Sequence, residues 1–190
     1  MRGWVIVVPL KPANVGKSRL GADEETVRGL GLATARAAAV APGVHSVVVV
    51  TADPTTAARL EGMPRVRVVR ESAPRGIRLA IASALATIPV GRSRAVLLGD
   101  VPALAPADLG RALVAAARHP RSFVADAAGT GTTLVTARPG IAWRSAFGRA
   151  SASRHRALGL HRLSVPRRSS LRHDVDTAAQ LARATASATI

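Results

Sequence analysis

Two kinds of residue are scarce enough in this chain for their positions to carry information. It has 11 Asp and Glu against 27 Lys and Arg, and Lys11 and Lys17 are the only lysines. Asp174 and Asp176, in "LRHDVDTAAQL", stand one residue apart. Carboxylates at i and i+2 of an extended segment project to the same side, which suits a hard divalent cation. The same pair precedes Thr177 and Gln180, a capping box, where acids instead favour a helix start; both readings stay open. Asp100 lies in "VLLGDVPAL", directly after an apolar run and before Pro102 turns the chain. There it holds a cation or caps the turn. Lys11, Lys17 and Arg19 lie in "VVPLKPANVGKSRL", where "GKS" invites a phosphate-loop reading. That loop needs Gly at position 11, and Lys11-Pro12 adds a side chain and removes an amide where a cradle needs bare N–H groups. What remains is a nucleotide loop using the cationic side chains themselves, or a solvated basic loop.

Two further segments carry uncharged polar groups. "DAAGTGTTL" (residues 126–134) offers backbone amides and the hydroxyls of Thr130, Thr132 and Thr133 to an anion, or is a plain glycine-rich turn. In "FGRASASRH" (147–155), Gly148 and Ser151 precede a short helix, with Ser151 as N-cap or anion donor. His155 has no acid beside it in sequence and reads as a structural histidine rather than a base. The five histidines are scattered, with no Ser-His-Asp arrangement and no Cys. Nucleophilic chemistry must then use oxygen, nitrogen or the substrate itself.

These residues need a scaffold, and the apolar pattern supplies one. Unbroken β-branched runs at Trp4 to Val8, Ser46 to Thr51, Val66 to Val69 and Ala95 to Leu98 read as strands covered on both faces. Stretches of helical spacing alternate with them: Glu24 to Val40, Thr55 to Leu60, Ile77 to Ala86 and Ala107 to Arg118. Such alternation predicts an α/β domain with a parallel sheet. Ser122 to Asp126 and Thr132 to Thr136 predict an antiparallel excursion, so the sheet is expected to be mixed. Ser151 to Leu158 reads as a helix, Arg162 to Val165 as a strand and Thr177 to Ala184 as the last helix. In open α/β sheets ligands bind beyond the carboxyl ends of the strands. The segments leaving the first four carry Lys11 and Lys17; Asp53; Glu71, Arg75 and Gly76; and Asp100.

Composition narrows the function classes. At 190 residues the chain forms one domain, taken here as 1–184 with a frayed tail at 185–190. It has no apolar run of membrane-span length and no signal-peptide cleavage site, so a cytoplasmic enzyme with no membrane partner is expected. With no Tyr and 2% aromatics there is little for nucleic-acid bases to stack on. The net charge of +16 comes from arginines spread from Arg2 to Arg183 rather than gathered in a block. Nucleic acid is therefore the weaker explanation of that charge, an arginine-for-lysine codon bias the stronger.

Taken in order, "VPLKPANVGKSRL", "GDVPAL", "GTGTTL", "FGRASASRH" and "LRHDVDT" resemble blocks of the guanylyltransferases that make the diphospho-guanosine precursor of coenzyme F-420. The resemblance spans residues 7 to 177. It implies a single-domain nucleotidyltransferase, Rossmann-like and GT-A-type, with a mixed, mainly parallel central sheet flanked by helices. It also implies GTP as donor and Mg²⁺ as cofactor. By that resemblance Asp100, Asp174 and Asp176 are metal ligands, and Lys17 and Asp100 are catalytic. Thr133, Gly148 and Ser151 hold a three-carbon phosphoacid, and Lys11, Lys17, Arg19 and Gly76 bind the nucleotide. Phosphoenolpyruvate is the expected acid, with 2-phospho-L-lactate and 3-phospho-D-glycerate as alternatives and a downstream transferase as a possible partner. Gly76-Ile77-Arg78 departs from the family's Gly-Leu-Asn, and Arg78 lacks the paired donor and acceptor of an Asn. That departure keeps another Mg²⁺-dependent nucleotidyltransferase, cytidylyl- or molybdopterin-type, as a second reading.

Overall fold

The computed structural model describes residues 3–13, 22–175 and 180. Seven strands form one sheet: β1 (Trp4–Leu10), β2 (Val44–Thr51), β3 (Val66–Arg70), β4 (Arg94–Leu97), β5 (Arg121–Ala125), β6 (Thr132–Ala137) and β7 (His161–Arg162). The helices are α1 (Glu24–Ala39), α2 (Pro54–Leu60), α3 (Ile77–Ala86), α4 (Pro106–Ala116) and α5 (Ser151–Ala157), followed by a 3₁₀ turn at Ser170–Arg172. The strand order is β3-β2-β1-β4-β6-β5-β7. All pairings are parallel except those of β6, which runs antiparallel to both β4 and β5.

Because the central strands are apolar throughout, they can be covered twice. Ile6, Val8, Val47, Val49, Ala95 and Leu97 face α1 and α4, whose Leu32, Ala35, Leu109 and Leu113 complete the larger core. Val5, Val7, Val48, Val50 and Val96 face the opposite way, onto Ala80, Ile81 and Ala84 of α3. Phe123, Ala125 and Val135 continue that second face under Ala152 of α5 and Leu160. Each fully buried Val or Leu contributes about 1.5–3 kcal/mol, so the two faces together outweigh any single polar contact described below.

The helix starts follow local chemistry. Asp23 caps α1 by accepting from Thr26 N at 2.8 Å, and Asp53 caps α2 by accepting from the amides of Thr55 and Thr56. Pro54 and Pro106 occupy first-turn positions, where a missing N–H costs nothing. Beyond β6, residues 138–150 form a strap that crosses the second face, with Trp143 and Phe147 packed on it. Its start is held by Arg94 Nη2 on Ile141 O and by Arg121 Nη1 on Ala142 O.

Most boundaries differ from the sequence reading by one or two residues, and the last strand differs more. The last strand is His161–Arg162 rather than Arg162 to Val165: Leu163 N still bonds Phe123 O at 2.9 Å, but the chain then leaves β5 toward Pro166, which has no N–H to offer a ladder. β4 starts one residue earlier than expected, at Arg94. The expected helix Thr177 to Ala184 lies outside the described residues apart from Gln180. No helix among the described residues is long and apolar enough to cross a membrane.

Candidate active site

The carboxyl ends of β1 and β4 lie side by side, and their close approach depends on a glycine. A Cβ on Gly99 would fall 2.2 Å from Leu10 Cδ2 and 3.2 Å from Pro9 O. The buried Thr34 hydroxyl of α1 shares its one proton between Leu30 O of its own helix at 3.0 Å and Gly99 O at 3.1 Å, which places α1 directly behind the turn. Asp100 follows at once. Its carbonyl accepts from Val175 N at 2.8 Å, which brings the segment bearing Asp174 against Asp100 although the two are far apart in sequence. Asp176, the third expected carboxylate, lies outside the described residues, as do Lys17 and Arg19. Among the described residues no three His, Asp or Glu side chains gather as a metal set. Lys11 is exposed just beyond β1, at the same edge.

On the other side of β4, the reversed strand β6 begins at this edge instead of ending there. Leu98 N donates to Thr133 O at 2.9 Å, extending the β4–β6 pairing toward Asp100. The Thr133 hydroxyl is fully buried and has no hydrogen-bond partner among the described residues. A lone buried hydroxyl costs stability unless something completes it. The preceding loop favours the second of its two open readings, a glycine-rich turn. The amides of Thr130 and Gly131 are not available to an anion, because Asp126 accepts both, at 3.0 and 2.8 Å. A Cβ on Gly131 would fall 2.4 Å from Asp126 Oδ2. The loop is thus a turn fastened by its own aspartate.

Gly148 and Ser151 reach the same region at the far end of the strap. Gly148 has φ 112° and Ala150 φ 53°, both left-handed, and Ser151 N bonds Gly148 O at 3.1 Å. The N-cap position belongs to Ala150 and makes no side-chain cap bond; Ser151 is the first helical residue and is buried. Capping is therefore not its role. Ala152 N donates to Thr130 O at 3.0 Å, which joins the start of α5 to the loop preceding Thr133. Thr133, Gly148 and Ser151, expected together from sequence, thus lie on β6, the strap and α5, three elements linked at this end by the Ser151–Gly148 and Ala152–Thr130 bonds.

Gly76 sits where β3 leads into α3, with φ 87° and no side-chain cap on that helix. Arg78 is exposed on the first turn of α3. Asp53, counted among the edge carboxylates, serves the fold instead. Burial opposes its charge, but hydrogen bonds from Thr56 and from Arg28 Nε, the latter at 3.1 Å, outweigh that and hold the carboxyl below its ordinary range. Glu71, placed at this edge by the sequence without a role, has Oε1 buried and without a hydrogen-bond partner among the described residues. His155 is completely buried, with Nδ1 3.0 Å from Thr132 Oγ1 and Nε2 accepting from Ala146 N at 2.8 Å. Burial, then the neighbouring Arg154 cation, push its pKa down to about 4. It is neutral and engaged at both nitrogens, so the structural reading of this histidine holds. A cavity of about 260 Å³ beside β5 is walled by Arg162, Ser164, Arg167 and Arg172, and none of the residues expected from sequence borders it.

Residues 22–173 match the MobA-like NTP transferase domain family. A phosphoenolpyruvate guanylyltransferase of Thermomonospora curvata is 42% identical over 191 aligned residues, covering 96% of this chain and 83% of that protein. One from Streptomyces coelicolor is 41% identical, covering 96% and 90%. Among solved structures, a nucleotidyl transferase from Methanothermobacter thermautotroptrophicus superposes with a TM-score of 0.67 at 19% identity, covering 95% of each chain. Rv0371c of Mycobacterium tuberculosis, in complex with manganese, gives 0.61 at 21% identity, covering 96% and 97%. These likenesses agree with the topology, and the chain belongs to the phosphoenolpyruvate guanylyltransferase family of MobA-like nucleotidyltransferases.

Proposed function

We propose that this enzyme transfers GMP from GTP to the phosphate of phosphoenolpyruvate. A phosphate oxygen of the acid bonds to the α-phosphorus of GTP, the bond from that phosphorus to the β-phosphate bridging oxygen breaks, and pyrophosphate leaves. The observation that carries the reading is identity above 40% across nearly the whole chain to proteins that bear this name. The second reading, a cytidylyl- or molybdopterin-type enzyme, is not favoured by any comparable likeness.

No protein nucleophile is required, in keeping with a chain that has no Cys. The rate must come from positioning and from offsetting charge between two anions. Thr133 would give its unpartnered hydroxyl to the phosphoacid, with Gly148 and Ser151 closing around the same ligand. Lys11, Lys17 and Arg19 would line the triphosphate, and Gly76 would sit beside the nucleoside; Lys17 would offset charge at the reacting phosphate. Asp100 and Asp174 are hard oxygen donors on segments joined by the Val175–Asp100 backbone bond, a donor chemistry that fits a divalent cation. With Asp176 they would hold Mg²⁺, which when bound supplies charge neutralisation across both phosphates. A transferase that consumes the product is the expected downstream partner.

The test is pyrophosphate release from GTP with Mg²⁺ and each of phosphoenolpyruvate, 2-phospho-L-lactate and 3-phospho-D-glycerate. Turnover is expected with phosphoenolpyruvate. Silence with all three acids overturns the reading, and turnover with CTP in place of GTP moves it to the second one. The +16 charge is tested separately: duplex DNA binding with a steep salt slope would favour a nucleic-acid protein instead.

A further inference from the structure

His155 is a completely buried ionisable side chain near the candidate site to which the proposed chemistry gives no task. It touches every element that carries the phosphoacid-binding candidates. Its Nδ1 meets Thr132, the residue before Thr133 on β6. Its Nε2 accepts from Ala146, two residues before Gly148 on the strap. It belongs to α5, one turn after Ser151. Because Nε2 accepts an amide N–H, the ring proton sits on Nδ1, which donates to Thr132 Oγ1. Phe123 and Phe147 pack against the ring, with centroids 5.6 and 5.2 Å away. The neighbouring Arg154 ties down the same stretch of strap through Ala146 O and Phe147 O, at 2.7 and 2.6 Å.

We propose that His155 is a positioning residue for the phosphoacid: its imidazole couples strap, β6 and α5 so that Gly148, Thr133 and Ser151 surround one ligand. The proposal rests on those three residues binding the acid. A histidine that only filled the core would need neither nitrogen in particular. Here both are committed, to two different elements, in one tautomer. The nucleotide-side residues Lys11 and Gly76 belong to other elements, so the effect should fall on one substrate.

Two substitutions separate the two nitrogens. His155→Asn keeps an N–H donor near the Nδ1 position and loses the acceptor for Ala146. His155→Gln places an acceptor near Nε2 and loses the Thr132 bond. The KM for phosphoenolpyruvate and for GTP are measured separately, each at saturating co-substrate. His155→Asn is expected to raise the phosphoenolpyruvate KM about tenfold, the equivalent of about 1.4 kcal/mol, with the GTP KM unchanged. His155→Gln, which restores the Ala146 bond but not the Thr132 one, is expected to raise the phosphoenolpyruvate KM by less. Thr132→Val, near in volume and leaving the ring in place, is expected to raise the same KM even if the histidine variants fail to fold. Ser151→Ala runs in parallel. If it leaves the phosphoenolpyruvate KM unaltered, the reading of the site fails. If it raises that KM while His155→Asn and Thr132→Val do not, or if they raise both KM values alike, the positioning role is overturned.

Discussion

The buried imidazole of His155 makes a quantitative prediction about acid stability. Its ordinary pKa is 6.5, and burial together with Arg154 brings it to about 4 in the folded chain. As pH falls below 6.5 the unfolded chain takes up this proton first, so stability rises with pH between those two values and not outside them. The contribution is fully present above about 6.5, drains away as pH falls, and is lost by about 4. At about 1.4 kcal/mol per pH unit it amounts to roughly 3 kcal/mol. In a chain of this size that corresponds to a thermal midpoint shift of about 6–12 °C. The assay is urea unfolding at several pH values from neutral to acid, on the native chain and on His155→Gln, which lacks the titrating group. Carboxylates titrate in both proteins and cancel in the comparison. The native chain should lose about 3 kcal/mol more than the variant over this interval. Two profiles that stay parallel to within a few tenths of a kcal/mol would refute the reasoning, because they would mean that the folded protein accepts the proton without breaking the Ala146 bond.

Three further outcomes follow from contacts already described. Thr133→Val removes a buried hydroxyl with no partner, so urea unfolding should show stability unchanged or slightly raised, while the phosphoenolpyruvate KM rises tenfold or more as a bond to a charged ligand worth about 1.5–3 kcal/mol is lost. Gly131→Ala drives a methyl into Asp126 Oδ2 and should destabilise by about 1–3 kcal/mol and raise the same KM, read by unfolding and steady-state kinetics. Asp53→Ala removes the cap of α2 and one of the carboxylates around Arg28, Glu24 and Glu25 remaining, and should cost about 0.5–2 kcal/mol by urea unfolding with little effect on either KM.

The strands were legible because a β-branched run covered on both faces leaves a continuous apolar signature, as in Val5 to Val8 and Val47 to Val50. The reversal at β6 was legible from the glycine-rich turn before it. What sequence could not supply was who holds whom. Asp53 and Asp100 both follow strands, yet Arg28 engages one of them beside its local Thr55 and Thr56 amides and the segment at Val175 meets the other, and Arg28 and Val175 come from distant parts of the chain. The loop at 129–131 offered its amides to a ligand on paper, but Asp126 was already close enough to take them. His155 had no acidic neighbour in sequence, and its two partners become visible only when the strap lies across β5 and β6.

An open sheet keeps two outer strands whose backbone could template a neighbour. Here one is β3, five residues with two arginines on its exposed positions, Arg67 held by the Thr87 hydroxyl and Arg70 by Glu61. The other is β7, two residues long and fully exposed. A second chain trying to add a strand would have to displace fixed guanidinium groups on one side and would find almost no ladder on the other. Part of the arginine excess thus acts as a guard against fibre-like growth, a task that needs charge at the rim of the sheet and has no connection with phosphate.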